Sequence, residues 1–283
     1  MSDIDPASTV FVFVHGAWHS SWQWGATQRA LAALGAASVA VDLPGHGFDA
    51  PVPTGYAVPD QPALTTEKSQ LAALTMAECA DSVLATLRGV RHFRTVVLVA
   101  HSAGGGPVSL AAERAPELVD RIVYLSAFVP AGRPRFADYI AAPENAGALG
   151  GGLPLGDPAA LGAIRINPLS PDPEYIEELR QTHYGDTPAD RFSRWRLALS
   201  PDLPLAVVET PVEVTARRWG RIPRVFLRCA DDRALPPATQ DLMITEADRA
   251  MPGRPFTVRT LPGSHSPFAA RPGELAAALV GAV

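Results

Sequence analysis

Two short segments pair a candidate nucleophile with a candidate base. Ser102 stands in Val99-Ala-His-Ser-Ala-Gly-Gly105, and His265 in Leu261-Pro-Gly-Ser-His-Ser-Pro267. A serine hydroxyl is a weak nucleophile at neutral pH, so acyl transfer through it needs exposure, a base within hydrogen-bond reach and preorganised donors for the oxyanion. The apolar run Thr95 to Ala100 predicts a strand and Gly104 to Arg114 a helix, which puts Ser102 on the sharp turn between them. Ala100, Ala103, Gly104 and Gly105 are small, as such a turn requires, although Ala100 stands where the G-x-S-x-G pattern has its first glycine. The competing role for Ser102 is a helix N-cap, so the remaining residues must decide.

These residues need elements to hold them, and strands are expected at Val10 to Val14, Ala37 to Leu43, Thr95 to Ala100, Arg121 to Ala127, Arg224 to Ala230 and Pro255 to Leu261. Helical patterns fall at Ser21 to Leu34, Thr75 to Arg88, Gly104 to Arg114, Thr239 to Met251 and Gly273 to Val283. Thr75 and Glu78 have the spacing of a capping box. Alternating strands and helices imply an α/β fold with a mainly parallel central sheet covered on both faces. Between about Pro130 and Pro223 no strand is predicted, only helical stretches at Pro173 to Tyr184 and Pro188 to Leu199. The organisation is therefore a core of residues 1–129 and 223–283 with an inserted helical cap, or lid, of residues 130–222. Pro51 to Gln70 is expected to be an irregular loop.

Ligands of open parallel sheets bind at the carboxyl ends of the strands. Four such ends carry polar or oxyanion-capable groups: His15-Gly-Ala17, Ser102, Asp231-Asp232 and His265. One aspartate of the pair would orient His265 and stabilise its imidazolium, and adjacent residues past a strand point in different directions. His46, His92 and His101 match the base by type but not by place. The oxyanion hole is expected from the backbone N–H groups of Ala17 and Ala103. Trp18, Trp22 and Trp24 are assigned to packing or a pocket wall. In the cap, Phe136, Tyr139, Tyr175, His183, Tyr184 and Trp195 are candidates to line an apolar pocket. The substrate itself is expected against Trp18, Phe136, Tyr139 and Trp195.

Composition narrows the function classes. The 283 residues carry a net charge of -5 with no basic tract, which argues against nucleic acid as a partner. Mean hydropathy is +0.07, and no apolar run is long enough to span a bilayer. The acidic N-terminal stretch has no signal-peptide pattern, so the expected location is the cytoplasm. Cys79 and Cys229 suggest neither a disulfide framework nor a metal site, and no cofactor is implied. A small-molecule substrate is the expected partner, and the composition is compatible with a homodimer.

The segments Val14-His-Gly-Ala-Trp-His-Ser-Ser-Trp22, Val41-Asp-Leu-Pro-Gly-His-Gly47, His101-Ser-Ala-Gly-Gly105, Val123-Tyr-Leu-Ser-Ala-Phe-Val-Pro130 and Arg228-Cys-Ala-Asp-Asp-Arg-Ala-Leu-Pro-Pro237 resemble α/β-hydrolases related to plant methyl esterases and hydroxynitrile lyases, with a bacterial esterase-like branch nearest. The resemblance implies the α/β-hydrolase fold and a triad of Ser102, Asp232 rather than Asp231, and His265. It also matches Ala17 and Ala103 to the oxyanion residues. The implied activity is hydrolysis of a small or medium carboxylic ester through an acyl-enzyme on Ser102. Similar lyases carry threonine and lysine where this chain has Gly16 and Ser266, which disfavours that rival. Cofactor-free peroxidase or oxygenase activity and a non-catalytic ligand-binding role also compete. Two positions depart from the pattern: Ala100, and Ser126 where many relatives have aspartate.

Overall fold

The computed structural model describes residues 6–57 and 61–282. Residues 1–5 of the acidic N-terminal stretch, residues 58–60 of the expected loop and Val283 of the expected last helix lie outside the described residues. In chain order the strands are β1 (Thr9–Val14), β2 (Ala37–Val41), β3 (Thr95–His101), β4 (Arg121–Leu125), β5 (Ala163–Arg165), β6 (Asp202–Pro204), β7 (Arg224–Cys229) and β8 (Thr257–Leu261). Six form one sheet of order β2-β1-β3-β4-β7-β8, and every neighbouring pair in it is parallel.

The central strands read as continuous apolar runs because both of their faces are covered. Side chains alternate across the pleat: Val10, Val12, Val14, Leu98, Ala100, Ile122, Tyr124 and Phe226 enter one core, and Phe11, Phe13, Val97, Val99, Val123, Leu125, Val225 and Leu227 enter the other. The first core is closed by the helices Met76–Gly89, Gly105–Arg114 and Pro237–Ala250, and the second by Gly25–Ala33 and Pro272–Gly281. Thr75 caps the helix Met76–Gly89 as its sequence predicts. The Thr75 hydroxyl accepts from the Glu78 amide at 3.2 Å, and Glu78 Oε2 accepts from the Thr75 amide at 2.8 Å. A parallel sheet also gathers the carboxyl ends of its strands along one edge, which brings the residues after β1, β3, β4, β7 and β8 to a common rim.

Two expectations need correction. The segment between β4 and β7 does contain strands, since β5 and β6 form a two-stranded antiparallel sheet. Opposite each other in that pair stand Arg165 and Asp202, both buried, with guanidinium Nε and Nη2 donating to the two carboxylate oxygens at 2.6 and 2.8 Å. The stretch expected to be irregular contains the short helices Thr54–Ala57 and Gln61–Thr66. Arg165 Nη1 donates to the carbonyls of Leu64 and Glu67 at 2.9 and 2.8 Å, which satisfies acceptors at the end of the second helix from far along the chain. No local pattern announces such a partner. No helix among the described residues is long and apolar enough to cross a membrane.

Candidate active site

Ser102 follows β3 directly and adopts φ of 51°, the left-handed region that is strained for a residue with a side chain. Trp18 after β1 and Ser126 after β4 share this geometry, at 60° and 43°. These are all the non-glycine residues with positive φ among those described, and they lie together on the rim. Close approach explains the small residues beside them. A Cβ on Gly16 would sit 2.6 Å from Ser102 Cβ, and one on Gly105 would collide with the Phe128 carbonyl oxygen. The Ala100 methyl is fully buried in the first core, so this strand end accommodates it without the expected glycine.

His265 Nδ1 lies 2.7 Å from Asp232 Oδ2, and both residues are buried. The Asp232 carboxylate is well supplied with donors. Ser126 Oγ donates to Oδ2, the amides of Ala234 and Leu235 donate to Oδ1 at 2.9 and 2.8 Å, and Gln240 Nε2 lies 3.4 Å from Oδ2. Asp231 is exposed instead, and its Oδ2 accepts from the Gly263 amide at 3.1 Å, tying the ends of β7 and β8. Ser126, in the sequence only a departure from a pattern, thus serves the carboxylate that orients the histidine. Gln240 carried no signal at all, because its helical position looks like any other.

Ser102 and His265 both border a cavity of about 370 Å³, together with Ala17, Trp18, Phe136, Ile140, Leu149, Leu153, Ile164, Thr182 and His183. Among the described residues no Asp, Glu, Lys or Arg lines it. Ala103 is the second residue of the 3-10 turn Ser102–Gly104, whose first N–H groups lack intrahelical partners. Among the described residues no hydrogen bond joins Ser102 Oγ to the His265 ring. Of the expected pocket residues, Trp18 and Phe136 line the cavity, whereas Tyr139 and Trp195 do not. Tyr139 is buried against Phe128 with its hydroxyl donating to Glu246 Oε2 at 2.8 Å, and Trp195 packs near Tyr184 and Phe268. Trp24 stacks on Phe13 in the core, but Trp22 is 56% exposed and meets Phe48 edge-on.

Six of the seven histidines cluster around the site, and His92 alone is exposed. The His101 ring packs against His19, Trp24, His265 and Phe268, and its Nε2 donates to the His265 carbonyl at 3.0 Å. Burial holds His15, His46, His101 and His183 below the ordinary histidine value and lowers His19 to about 4. The unfolded chain therefore binds protons near pH 6.5 that the folded chain refuses. Stability is expected to fall as pH drops below about 6.5, by up to about 1.4 kcal/mol per pH unit for each such group, until the folded-state values are reached. Urea midpoints between pH 7.5 and 4.5 measure this; an unchanged midpoint would contradict the buried neutral cluster.

A sequence profile described as Alpha/beta hydrolase family matches residues 11–278. Methylesterase 1 of Arabidopsis thaliana is 28% identical over 242 residues, covering 83% of this chain and 82% of the relative. The pyrethroid hydrolase of Sphingobium wenxiniae is 31% identical over 193 residues, 65% of this chain and 61% of the relative. Among solved structures, a pyrethroid hydrolase from Sphingobium faniae superposes with a TM-score of 0.69 at 25% identity, covering 96% of each chain. Polyneuridine aldehyde esterase gives 0.71 at 18% identity over 96% of this chain and 98% of that one, a likeness of fold.

Proposed function

Because this chain belongs to the alpha/beta hydrolase family, with relatives named as methylesterases and a pyrethroid hydrolase, we propose that it is a carboxylesterase working through an acyl-enzyme on Ser102. The observation that carries the reading is the strained Ser102 at the floor of a cavity that His265, held by Asp232, also borders. His265 Nε2 takes the Ser102 proton as Oγ attacks the acyl carbon. The pair must close to hydrogen-bond distance when the ester binds, as catalytic contacts commonly do. The amides of Ala17 and Ala103 receive the oxyanion, His265 returns the proton to the leaving alkoxide, and water then clears the acyl group. Residues 130–222 act as a cap that supplies most of the apolar wall, including Phe136, Ile164 and Leu203.

A wall without formal charge selects an uncharged ester, since a carboxylate or ammonium would lose its hydration there with no partner. Rates on p-nitrophenyl butyrate and on the p-nitrophenyl monoester of succinate test this. The neutral ester is expected to have a kcat/KM at least about tenfold higher, a cost of roughly 1.4 kcal/mol for the buried charge. Equal rates would remove the assignment of the cavity as the acyl site.

A further inference from the structure

The turn that carries Ala17 is gripped by two imidazoles. His15 Nδ1 lies 2.9 Å from the Gly16 carbonyl oxygen, and His19 Nδ1 lies 2.6 Å from the Ala17 carbonyl oxygen. A carbonyl only accepts, so in both contacts Nδ1 bears the proton and Nε2 is the acceptor of a neutral ring. The groups on Nε2 come from different parts of the molecule. For His15 it is the Leu43 amide, at 3.1 Å, from just past β2. For His19 it is the Tyr184 hydroxyl, at 2.6 Å, from the residue after the helix Pro173–His183 between β4 and β7. Both His19 and Tyr184 are buried, and burial raises the Tyr184 phenol well above its ordinary range, so the hydroxyl stays a donor.

The same segment holds the turn at two further points. The Ser200 amide donates to the Trp18 carbonyl at 2.7 Å, and Trp18 Nε1 donates to the Ile164 carbonyl at 2.9 Å. Trp18 is itself in the left-handed region, a conformation that persists only where surrounding contacts over-determine it.

We propose that Tyr184 and His19 form a positioning relay from the segment between β4 and β7 to the oxyanion turn. The Tyr184 O–H fixes His19 in the Nδ1–H tautomer, and that N–H holds the Ala17 carbonyl so that the Ala17 amide stays aimed at the developing oxyanion. The inference rests on reading Ala17 as an oxyanion donor. Without the tyrosine hydroxyl the ring is free to carry its proton on Nε2, which would set the Nδ1 lone pair against a carbonyl lone pair. Neither His19 nor Tyr184 lines the cavity, so the relay acts on kcat and leaves substrate binding alone.

Kinetics of four variants test it on p-nitrophenyl butyrate, with thermal melts to confirm folding: His19→Leu, His19→Asn, Tyr184→Phe and the double variant of His19→Asn with Tyr184→Phe. Asparagine keeps an N–H at the Nδ1 position and has no tautomer to lose. His19→Leu is expected to lower kcat by roughly 10- to 100-fold, with KM held within about twofold, a fraction of the cost of losing an oxyanion donor outright. His19→Asn should recover kcat to within about threefold of the native value, while Tyr184→Phe should cost about tenfold in the native background and less than about twofold beside His19→Asn. Additive effects in the double variant would overturn the relay, as would a folded His19→Leu with native kcat or a folded His19→Asn no better than His19→Leu. If His19→Leu fails to fold, the cycle between Tyr184→Phe and His19→Asn still decides. Native protein without esterase activity defeats the Ser102 reading itself, whereas an active enzyme with indifferent variants defeats the relay alone.

Discussion

Replacing Ser102 by alanine is expected to lower kcat on p-nitrophenyl butyrate by about 10⁴- to 10⁶-fold, with no matching loss of fold. The expectation comes from the backbone before the chemistry. Ser102 holds φ of 51° at the end of β3, and Gly16 and Gly105 leave the room in which this turn sits. Strain of this kind costs of order 1–3 kcal/mol and persists where surrounding structure enforces it. Alanine tolerates the same backbone about as well as serine, so the Ser102→Ala protein should melt close to the native temperature. What it lacks is the oxygen that forms the acyl bond in the proposed mechanism. The residual rate would come from the cavity and the oxyanion donors, which still favour the transition state for attack by water. A Ser102→Ala enzyme within about tenfold of native kcat would leave Ser102 without a catalytic role.

Asp232→Asn carries the second large effect, about 10⁴-fold in kcat, against less than about threefold for Asp231→Asn. Every described contact of the Asp232 carboxylate has it accepting: from His265 Nδ1, the Ser126 hydroxyl, the amides of Ala234 and Leu235, and Gln240 Nε2. The two backbone amides demand an acceptor at Oδ1, so the asparagine carbonyl takes that place and its NH2 faces His265 and Ser126. The histidine must then accept at Nδ1 and carry its proton on Nε2, which is the wrong tautomer to remove a proton from Ser102. Asp231 is exposed, and among the described residues its carboxylate is bonded only at the β7 to β8 turn, so its amide variant has no comparable conflict. Steady-state kcat for the two variants separates the assignments, and a larger loss in Asp231→Asn would reverse them.

Much of this arrangement is legible in the sequence because it rests on local rules. Continuous β-branched runs mark strands covered on both faces, and small residues beside Ser102 mark a tight approach. Parallel order then forces the strand ends carrying Ala17, Ser102, Asp232 and His265 onto one rim. What the pattern does not disclose depends on contacts between distant segments. Three-residue strands such as β5 and β6 show no period, and their pairing places buried Arg165 opposite Asp202. Tyr139 has the type of a pocket residue, but its hydroxyl finds Glu246 and turns the ring into the core. Ser126 donates to Asp232 and His19 meets Tyr184, both far away in the chain, and a serine after a strand or a histidine in a turn gives no hint of which distant partner it will find.

An acyl-enzyme on Ser102 is the central claim, and covalent capture with an organophosphonate followed by peptide mapping tests it most directly. One adduct per chain is expected on the peptide containing Ser102, with loss of esterase activity in proportion to labelling and no adduct in the Ser102→Ala protein. Full inactivation with the label on another residue, or undiminished hydrolysis by protein fully labelled at Ser102, would contradict it.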